Sequence, residues 1–240
     1  MDSRPQADDL VVEVERVSKR FTMHGRDEIA LHEVSLHVPR GSLVAVAGPS
    51  GSGKSTLLSI IGCLARPTSG SVRFEGVEIT ELSRSRRRAL RRTELTNLLP
   101  LPSDNLFHRT DGYGNVRRAS GRRATTRDEV TALLDRFGIA HCGPKRVIDM
   151  SGGEQQRLAP VCALVRTPKL IVADEPTASL DRANARLVID ALVQAATLGT
   201  TVIVATHDHD LIEAATSAVH LSHGVVVAVG GVAPASGGTT

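Results

Sequence analysis

The chain contains 240 residues, of which 41% are apolar and 23% are charged, and its formal net charge is +3. This length and composition predict one α/β domain, or two small lobes, around a real core, and they exclude a disordered chain. No apolar run approaches the roughly 18 residues needed to cross a bilayer, and the first ten residues lack the apolar stretch of a secretory signal. The three cysteines form no CxxC pair, which argues against a disulfide framework. We therefore expect a cytoplasmic protein.

Positive charge is concentrated in two arginine-rich stretches, at residues 84–92 and 117–127. Such stretches occur in surfaces that bind nucleic acid or anionic membranes, but also in solvated helix faces. The chain has only four phenylalanines, one tyrosine and no tryptophan, so a platform for stacking single-stranded bases is not expected. Solvated helix faces are the favoured interpretation, and no nucleic-acid partner is expected.

The hydrophobic patterning predicts an alternation of strands and helices along most of the chain. Strands are predicted at residues 10–17, 31–38, 43–47, 72–75, 169–173, 201–205, 218–222 and 225–229, and helices at 55–64, 127–137, 153–165, 182–196 and 209–217. Buried strands that alternate with helices imply a mostly parallel sheet covered on both faces. We expect a single domain over residues 1–240. Its parts are a core with an antiparallel β subdomain (10–82 and 151–229), a smaller helical lobe (83–150) and a flexible tail (230–240).

A glycine-rich loop between a predicted buried strand and a predicted helix matches the pattern GxxxxGK[ST]. Glycines let successive backbone N–H groups face inward around an anion, and the helix that follows directs its positive end at the same point. Lys54 is expected to neutralise the β and γ phosphates of a nucleotide, and the Ser55 hydroxyl to complete a Mg²⁺ coordination sphere. The predicted nucleotide-binding residues of this loop are Gly48, Pro49, Ser50, Gly51, Ser52, Gly53, Lys54, Ser55 and Thr56.

A second acidic element follows a buried strand at residues 169–173. Asp174 is expected to hold Mg²⁺ directly or through water, together with Ser55. Glu175 comes one residue later and is expected to orient or deprotonate an attacking water. Acidic residues after a strand are often simple helix caps, but the combination with the glycine-rich loop favours catalysis.

Three further motifs identify a family. Met150–Leu158, MSGGEQQRL, resembles the LSGGQ signature of ABC ATPases. Residues 174–181, DEPTASLD, resemble the Walker B motif followed by the D-loop, and His207 resembles the histidine of the H-loop. Phe21 falls where this family places an aromatic residue that stacks on adenine. The chain is thus similar to the ATP-binding subunits of ABC transporters, with a pattern like that of the LolD, MacB and FtsE subfamily. The resemblance covers about residues 10–228.

The resemblance implies a head-to-tail dimer. In it, each ATP lies between the glycine-rich loop at residues 48–56 of one chain, called the P-loop, and the signature of the other chain. The signature residues expected to contact that nucleotide are Ser151, Gly152, Gly153 and Glu154. His207 would contact the γ-phosphate and position the water or Glu175, so the expected catalytic residues are Lys54, Glu175 and His207. Asp181 would cross the interface to the partner's P-loop. A metal cluster at residues 207–210 is the alternative interpretation of that histidine-rich stretch.

The chain departs from the family in two places. The family carries a glutamine that touches Mg²⁺ and couples to the membrane partner, but this sequence has no glutamine between Gln6 and Gln155, and Pro100 stands near the expected place. Two explanations remain open: true divergence of residues 96–114, or a shifted reading frame there, which the gene's nucleotide sequence would decide. After the signature, Pro160 lies inside a predicted helix, at a cost of about 3 kcal/mol, and Cys162 replaces an arginine.

The leading hypothesis is therefore an ATP-hydrolysing motor subunit, with Mg²⁺, that works with a second ATPase subunit and a separate membrane permease in export, lipoprotein release or force transmission. Such a subunit would be peripheral on the cytoplasmic face of the membrane. The alternatives are a catalytically impaired, ATP-binding regulatory subunit and a soluble ABC-type ATPase that acts on nucleic acid. The stretch between Lys54 and Ser151 leaves no room for the long coiled-coil insertion of that last class.

Overall fold

The computed structural model describes residues 9–23, 26–121 and 125–231. Its strands form two sheets, and its larger helices pack on the larger sheet. No helix in the described ranges combines the length and the apolarity required to cross a membrane.

A four-stranded antiparallel sheet is formed mainly by the first part of the chain, in the order β2-β1-β4-β5. Its strands are β1 (Leu10–Met23), β2 (Arg26–Pro39), β4 (Ser69–Phe74) and β5 (Val77–Glu78). Valines that alternate along β1, such as Val12 and Val14, are buried in a hydrophobic core that this sheet shares with one face of the larger sheet. This sheet is the antiparallel β subdomain that the sequence predicts.

The larger sheet has six strands in the order β10-β9-β3-β8-β7-β6. Its strands are β3 (Leu43–Ala47), β6 (Leu95–Leu98), β7 (Leu170–Asp174), β8 (Thr201–Thr206), β9 (Ser217–Ser222) and β10 (Val225–Gly231). All neighbours are parallel except β9 and β10. The mostly parallel α/β fold predicted from the sequence is therefore confirmed.

Eight α-helices lie between these strands in the described residues: α1 (Lys54–Ile61), α2 (Arg84–Thr93), α3 (Pro102–Asn105), α4 (Gly112–Ala119), α5 (Arg127–Arg136), α6 (Gly152–Leu164), α7 (Arg182–Thr197) and α8 (His209–Ala214). Helix α6 is continuous through Pro160, which is buried. The proline therefore costs one backbone hydrogen bond but does not end the helix.

The two faces of the larger sheet belong to two different hydrophobic cores. Leu43 and Ala45 of β3 join the core that contains the apolar side chains of α6. Val44 and Val46, which alternate with them, join the core that contains the apolar side chains of α1. Because successive side chains of a strand point to opposite faces, α1 and α6 cover opposite faces of the sheet.

Two predicted segments differ from the structure. The stretch 83–150 was expected to form a helical lobe, yet its residues Leu95–Leu98 form β6, which pairs with β7 at the edge of the core sheet. The tail was expected to begin at residue 230, but β10 continues to Gly231 because it pairs with β9 up to Ser217. The rest of that tail, residues 232–240, lies outside the described residues.

Candidate nucleotide-binding site

The glycine-rich loop connects β3 to α1, and its backbone explains why glycine stands at two of its positions. Gly48 has φ 144°, and a Cβ there would lie 2.1 Å from the carbonyl oxygen of Leu221. Gly53 has φ 102°, and a Cβ would lie 2.5 Å from the carbonyl oxygen of Ala30. Any larger residue would therefore collide with backbone atoms as well as adopt a disfavoured φ.

The loop ends at a helix N-terminus that is open to an anion. Helix α1 begins at Lys54, and no side chain donates or accepts a capping hydrogen bond at Gly53. The first N–H groups of a helix have no partners within it, and the helix dipole makes this end attractive to phosphate. Lys54 is buried, and its Nζ donates to the carbonyl oxygens of Gly48 and Pro49 at 2.8 and 2.9 Å. The lysine thus places its positive charge at the mouth of the same loop.

Asp174, at the carboxyl end of β7, fits an oxygen-ligated cation. Burial raises the pKa of Asp174 and the charge of Glu175 adds to this, whereas a hydrogen bond with Ser55 and the charge of Lys54 lower it. Its Oδ1 is buried without a hydrogen-bond partner among the described residues, and a buried, unpaired carboxylate oxygen is costly. A hydroxyl and a carboxylate are ligands that Mg²⁺ accepts. The structure thus brings together the two residues predicted to hold magnesium.

Glu175 and His207 form a pair at the ends of neighbouring strands. His207 Nδ1 lies 3.0 Å from a carboxylate oxygen of Glu175. The backbone N–H of Glu175 donates to the carbonyl of Ala205 in β8, and Glu175 has φ 49°. This left-handed conformation is unusual for a residue other than glycine and turns the chain sharply just after Asp174. The glutamate is mostly covered, whereas three quarters of the imidazole is exposed.

Sequence reasoning missed a contact that joins the loops carrying this pair. Thr177 Oγ1 donates to Asp208 Oδ2 at 2.8 Å, and the N–H of Asp208 donates to Thr206 Oγ1 at 3.0 Å. The first bond holds the loop after β7 against the loop after β8, and the second orders the loop after β8. The only signal in the sequence is that Thr177 lies within the motif at residues 174–181 and that Asp208 directly follows His207.

The signature sequence opens helix α6 with a capping box. The Ser151 hydroxyl accepts from the N–H of Glu154 at 3.3 Å, and Glu154 Oε2 accepts from the N–H of Ser151 at 2.6 Å. Burial alone would raise the pKa of Glu154, but hydrogen bonds from Lys145, His141 and the Ser151 backbone outweigh it and hold the pKa well below its usual range. Lys145 and His141 are supporting residues that the sequence analysis did not identify.

The remaining signature residues leave room in front of the helix. Gly152 begins α6, and a Cβ placed on it would have no atom within 4 Å. A Cβ on Gly153 would meet only the side-chain ends of Arg157 and Leu180, at 4.0 Å. Glycine is thus not required here by the packing of one chain.

Within one chain, the P-loop and the signature are separate. Helices α1 and α6 lie on opposite faces of the sheet, and no hydrogen bond or ion pair in the described ranges joins residues 48–56 to residues 151–153. The predicted residues therefore form two groups, one with the P-loop, Asp174, Glu175 and His207, and one at the start of α6.

Phe21 and Asp181 lie at the edges of these two groups: Phe21 is on the antiparallel sheet near the P-loop, and Asp181 directly follows Leu180, whose side chain lies beside Gly153. Phe21 pairs in register with Glu28, two residues before Ala30, whose carbonyl lies against the P-loop. Its ring is partly exposed, 5.0 Å from the Lys19 ammonium. Asp181 caps helix α7, and its carboxylate accepts from the N–H of Asn184 at 2.9 Å. Of the stretch 207–210, Asp208 caps α8. Within the described ranges, a group of three metal-ligating His, Cys, Asp or Glu side chains lies elsewhere, at His141, Cys142 and Glu154.

The P-loop lies between a buried strand and a helix, and an acidic residue ends β7, two strands away in the same sheet. This arrangement is that of a P-loop nucleotide-binding ATPase. The family model described as "ABC transporter" matches residues 31–178. The chain therefore belongs to the ABC transporter ATPase family, whose members bind ATP, usually with Mg²⁺, and generally hydrolyse it.

Several known proteins are similar to this chain. The lipoprotein-releasing system ATP-binding protein LolD of Shewanella denitrificans is 37% identical over 218 residues, which cover 89% of this chain and 93% of LolD. The macrolide export ATP-binding/permease protein MacB of Burkholderia pseudomallei is 36% identical over 221 residues, but the chain spans only 34% of its length. Among solved structures, the dimeric ATP-binding cassette MJ0796 with ADP and Pi has a TM-score of 0.83 at 28% identity. That match covers 92% of this chain and 99% of that one.

Proposed function

We propose that this chain is an ATP-hydrolysing motor subunit that works as a head-to-tail dimer and drives a separate membrane permease. The observation that carries the proposal is the position of α1 and α6 on opposite faces of the sheet. Two groups that both suit a triphosphate cannot meet within one chain, whereas the P-loop of one chain can face the signature of another.

The geometry supports the following proposed roles for residues of the P-loop group. Lys54 and the N-terminus of α1 bind the phosphates, and Ser55 and Asp174 hold Mg²⁺, which would neutralise charge on the phosphate oxygens. The oxygen of a water molecule attacks the γ-phosphorus while Glu175 accepts a proton from that water. The bond between the γ-phosphorus and the oxygen that stays with ADP breaks. His207, held by Glu175 at 3.0 Å, keeps the carboxylate oriented and is exposed enough to reach the γ-phosphate.

The second group supplies the opposite side of the nucleotide. The start of α6, with Ser151, Gly152 and Gly153, is a helix N-terminus and suits an anion. Glu154 stabilises this turn, while Asp181 lies at the head of α7 near the same surface. We propose that these residues reach the partner's nucleotide, and that Phe21 stacks on the adenine of its own chain's ATP. Residues 83–150, apart from β6, form the lobe that carries this second group.

A mixing experiment tests the head-to-tail arrangement. Lys54→Ala removes the phosphate-binding lysine, and Gly152→Asp places a carboxylate at the start of α6, where the fold of one chain has space for it. Each variant alone is expected to be inactive. In an equal mixture, half of the dimers pair one variant with the other and regain one intact site, so roughly a quarter of the wild-type ATPase rate returns. Activity no greater than the sum of the separate variants would contradict the dimer.

The permease partner is supported by the relatives. LolD is named as part of a lipoprotein-releasing system and MacB as an export ATP-binding/permease protein, so we propose a peripheral position on the cytoplasmic face of the membrane. Phosphate release by the purified chain, with and without each candidate permease in lipid discs, tests this. Stimulation by one permease, lost in Glu175→Gln, is the expected result. Equal rates with every permease would contradict coupling.

A second candidate is an ATP-binding subunit that hydrolyses slowly. It is favoured by the lack of glutamine between Gln6 and Gln155. In the structure, β6 ends at Leu98, and the side-chain amide of Asn97 in this strand donates to the carbonyl of Gly62 at 3.0 Å. Comparing the hydrolysis rate of the wild type with that of Pro100→Gln distinguishes the two candidates. A faster variant indicates impairment, and equal rates favour the full motor.

A further inference from the structure

A cluster of metal-binding side chains lies beside the signature, outside the predicted magnesium site. It contains His141, Cys142 and Glu154, whose ligand atoms all lie within 4.8 Å of one another. His141 and Cys142 belong to the short 3-10 helix Ala140–Cys142, and Glu154 belongs to the first turn of α6. Two elements therefore contribute a thiol, an imidazole and a carboxylate to one point.

The two oxygens of Glu154 face different partners. Oε2 accepts from the N–H of Ser151 at 2.6 Å and from Lys145 Nζ at 2.9 Å. Oε1 lies 2.8 Å from His141 Nε2. A metal bound through Oε1 would therefore leave the capping bond to Ser151 on Oε2 in place.

We propose that His141, Cys142 and Glu154 bind a Zn²⁺ ion. Thiolate, imidazole and carboxylate are the three ligand types of zinc sites, and three protein ligands leave a fourth position for water. A thiolate does not suit Mg²⁺ or Ca²⁺, which prefer oxygen, so this site is chemically distinct from the one at Asp174. The imidazole of His141 is 62% exposed, which gives the ion a path from solvent.

Binding would change the protonation of the cluster in a defined way. Burial raises the pKa of the Cys142 thiol to about 11, with the neighbouring Glu154 adding to the effect and Lys145 and Arg157 opposing it. The thiol is thus protonated at neutral pH before metal binds. Zinc binding forms a metal–sulfur bond and releases the thiol proton to solvent, and His141 binds as the neutral imidazole.

The surrounding charges predict which substitution should strengthen the site. Lys145 Nζ lies 2.9 Å from a carboxylate oxygen of Glu154, and its positive charge repels a metal ion bound at the cluster. Lys145→Ala removes that charge but keeps all three ligands, so we expect it to bind metal more tightly than the wild type. If the cluster only stabilised the α6 cap, this substitution would not increase its affinity for a metal.

Titration of the full chain with Co²⁺, a spectroscopic substitute for Zn²⁺, tests the proposal. We expect one equivalent to bind with a thiolate-to-cobalt absorption band, which Zn²⁺ then displaces. Cys142→Ser and Cys142→Ala should both lose the band, and His141→Ala should weaken binding at least about tenfold. Cys162→Ala removes another buried thiol and should keep the band. Circular dichroism verifies that each variant is folded.

A second control addresses exposed histidines. His37 and Glu15 form a matched imidazole–carboxylate pair, with 2.7 Å between Nε2 and Oε1, on the antiparallel sheet. Removing that imidazole with His37→Ala should leave cobalt binding unchanged. No thiolate band in the wild type, or a band that survives Cys142→Ala, would overturn the proposal. Both results are independent of ATP hydrolysis and therefore of the proposed motor function.

Discussion

The two groups of predicted site residues are supported in different ways. The P-loop group lies at the carboxyl ends of buried strands: Asp174 ends β7, and Glu175 is bonded through its backbone to Ala205 of β8. The signature group lies at the start of one helix and is held by Glu154, whose partners Lys145 and His141 are partly exposed. The core fixes the first group, whereas surface hydrogen bonds and ion pairs fix the second.

This difference determines how each group should respond to substitution. In the proposed function, the side chains at the ends of buried strands act on charged substrate, so we expect their removal to change binding and rate without unfolding the chain. The signature turn depends on charged hydrogen bonds near the surface, which are worth less and are sensitive to salt and pH. Removing a side chain of the first group should therefore have the largest functional effect, whereas removing the charged side chains that hold the signature turn should mainly change stability.

The largest effect is expected from Lys54→Ala, because it weakens ATP binding and abolishes hydrolysis together. The buried ammonium would be lost from the mouth of the P-loop, and charged contacts to phosphate are among the strongest hydrogen bonds in proteins. We expect ATP affinity to fall about 100-fold, or about 2.7 kcal/mol, in a titration with a fluorescent ATP analogue. Lys169→Ala is the matched control, because Lys169 pairs with Glu94 at the opposite end of β7. Similar losses in both variants would contradict a specific role for Lys54.

The next effect is expected from Glu175→Gln, which keeps the shape of the side chain but not its basicity. Loss of a general base lowers kcat by about 10²–10⁴-fold, while ATP binding should be unchanged. Size-exclusion chromatography should then show a dimer that accumulates with ATP but not with ADP. Glu78→Gln, at an exposed position in β5, should behave as the wild type. Dimer formation that is equal without nucleotide would count against the shared site.

Pro160→Ala tests the signature helix and should stabilise it. The ring prevents the hydrogen bond from residue 160 to the carbonyl of Gln156, and alanine is about 3 kcal/mol more favourable in a helix interior. Losing the buried ring carbons costs about 1–2 kcal/mol, so the free energy of unfolding in urea should rise by about 1–2 kcal/mol. Pro168 lies in a loop, so Pro168→Ala gains no helical hydrogen bond and should not raise the free energy of unfolding. A lower stability of Pro160→Ala would show that packing outweighs the missing bond.

The same contrast explains what could be predicted from the sequence. Strand β3 was predicted with its observed limits, because a glycine turn and the P-loop bound an apolar run. Strand β6 was missed, since the four residues Leu95–Leu98 show no periodicity and pair with residues of β7 that lie 75 positions later in the chain. Lys145 and His141 precede Glu154 by 9 and 13 residues and meet it only through the fold.

The smallest effect is expected from Glu154→Gln, and it should depend on pH. Hydrogen bonds hold the pKa of Glu154 below its usual range, so its carboxylate stabilises the folded chain above the unfolded pKa of about 4.3. That contribution is lost as pH falls through the lower folded pKa. At pH 7 we expect Glu154→Gln to reduce the free energy of unfolding by about 1 kcal/mol, because the partners are partly exposed.

Urea unfolding at pH 7 and pH 3 measures this prediction, and α5 provides the matched control. Glu129 closes an equivalent capping box with Thr126, but none of the described ion pairs includes it. Glu129→Gln should therefore change stability less at pH 7. If Glu154→Gln and Glu129→Gln behaved alike, the ion pairs with Lys145 and His141 would contribute nothing beyond the cap, and the signature turn would be held by its backbone alone.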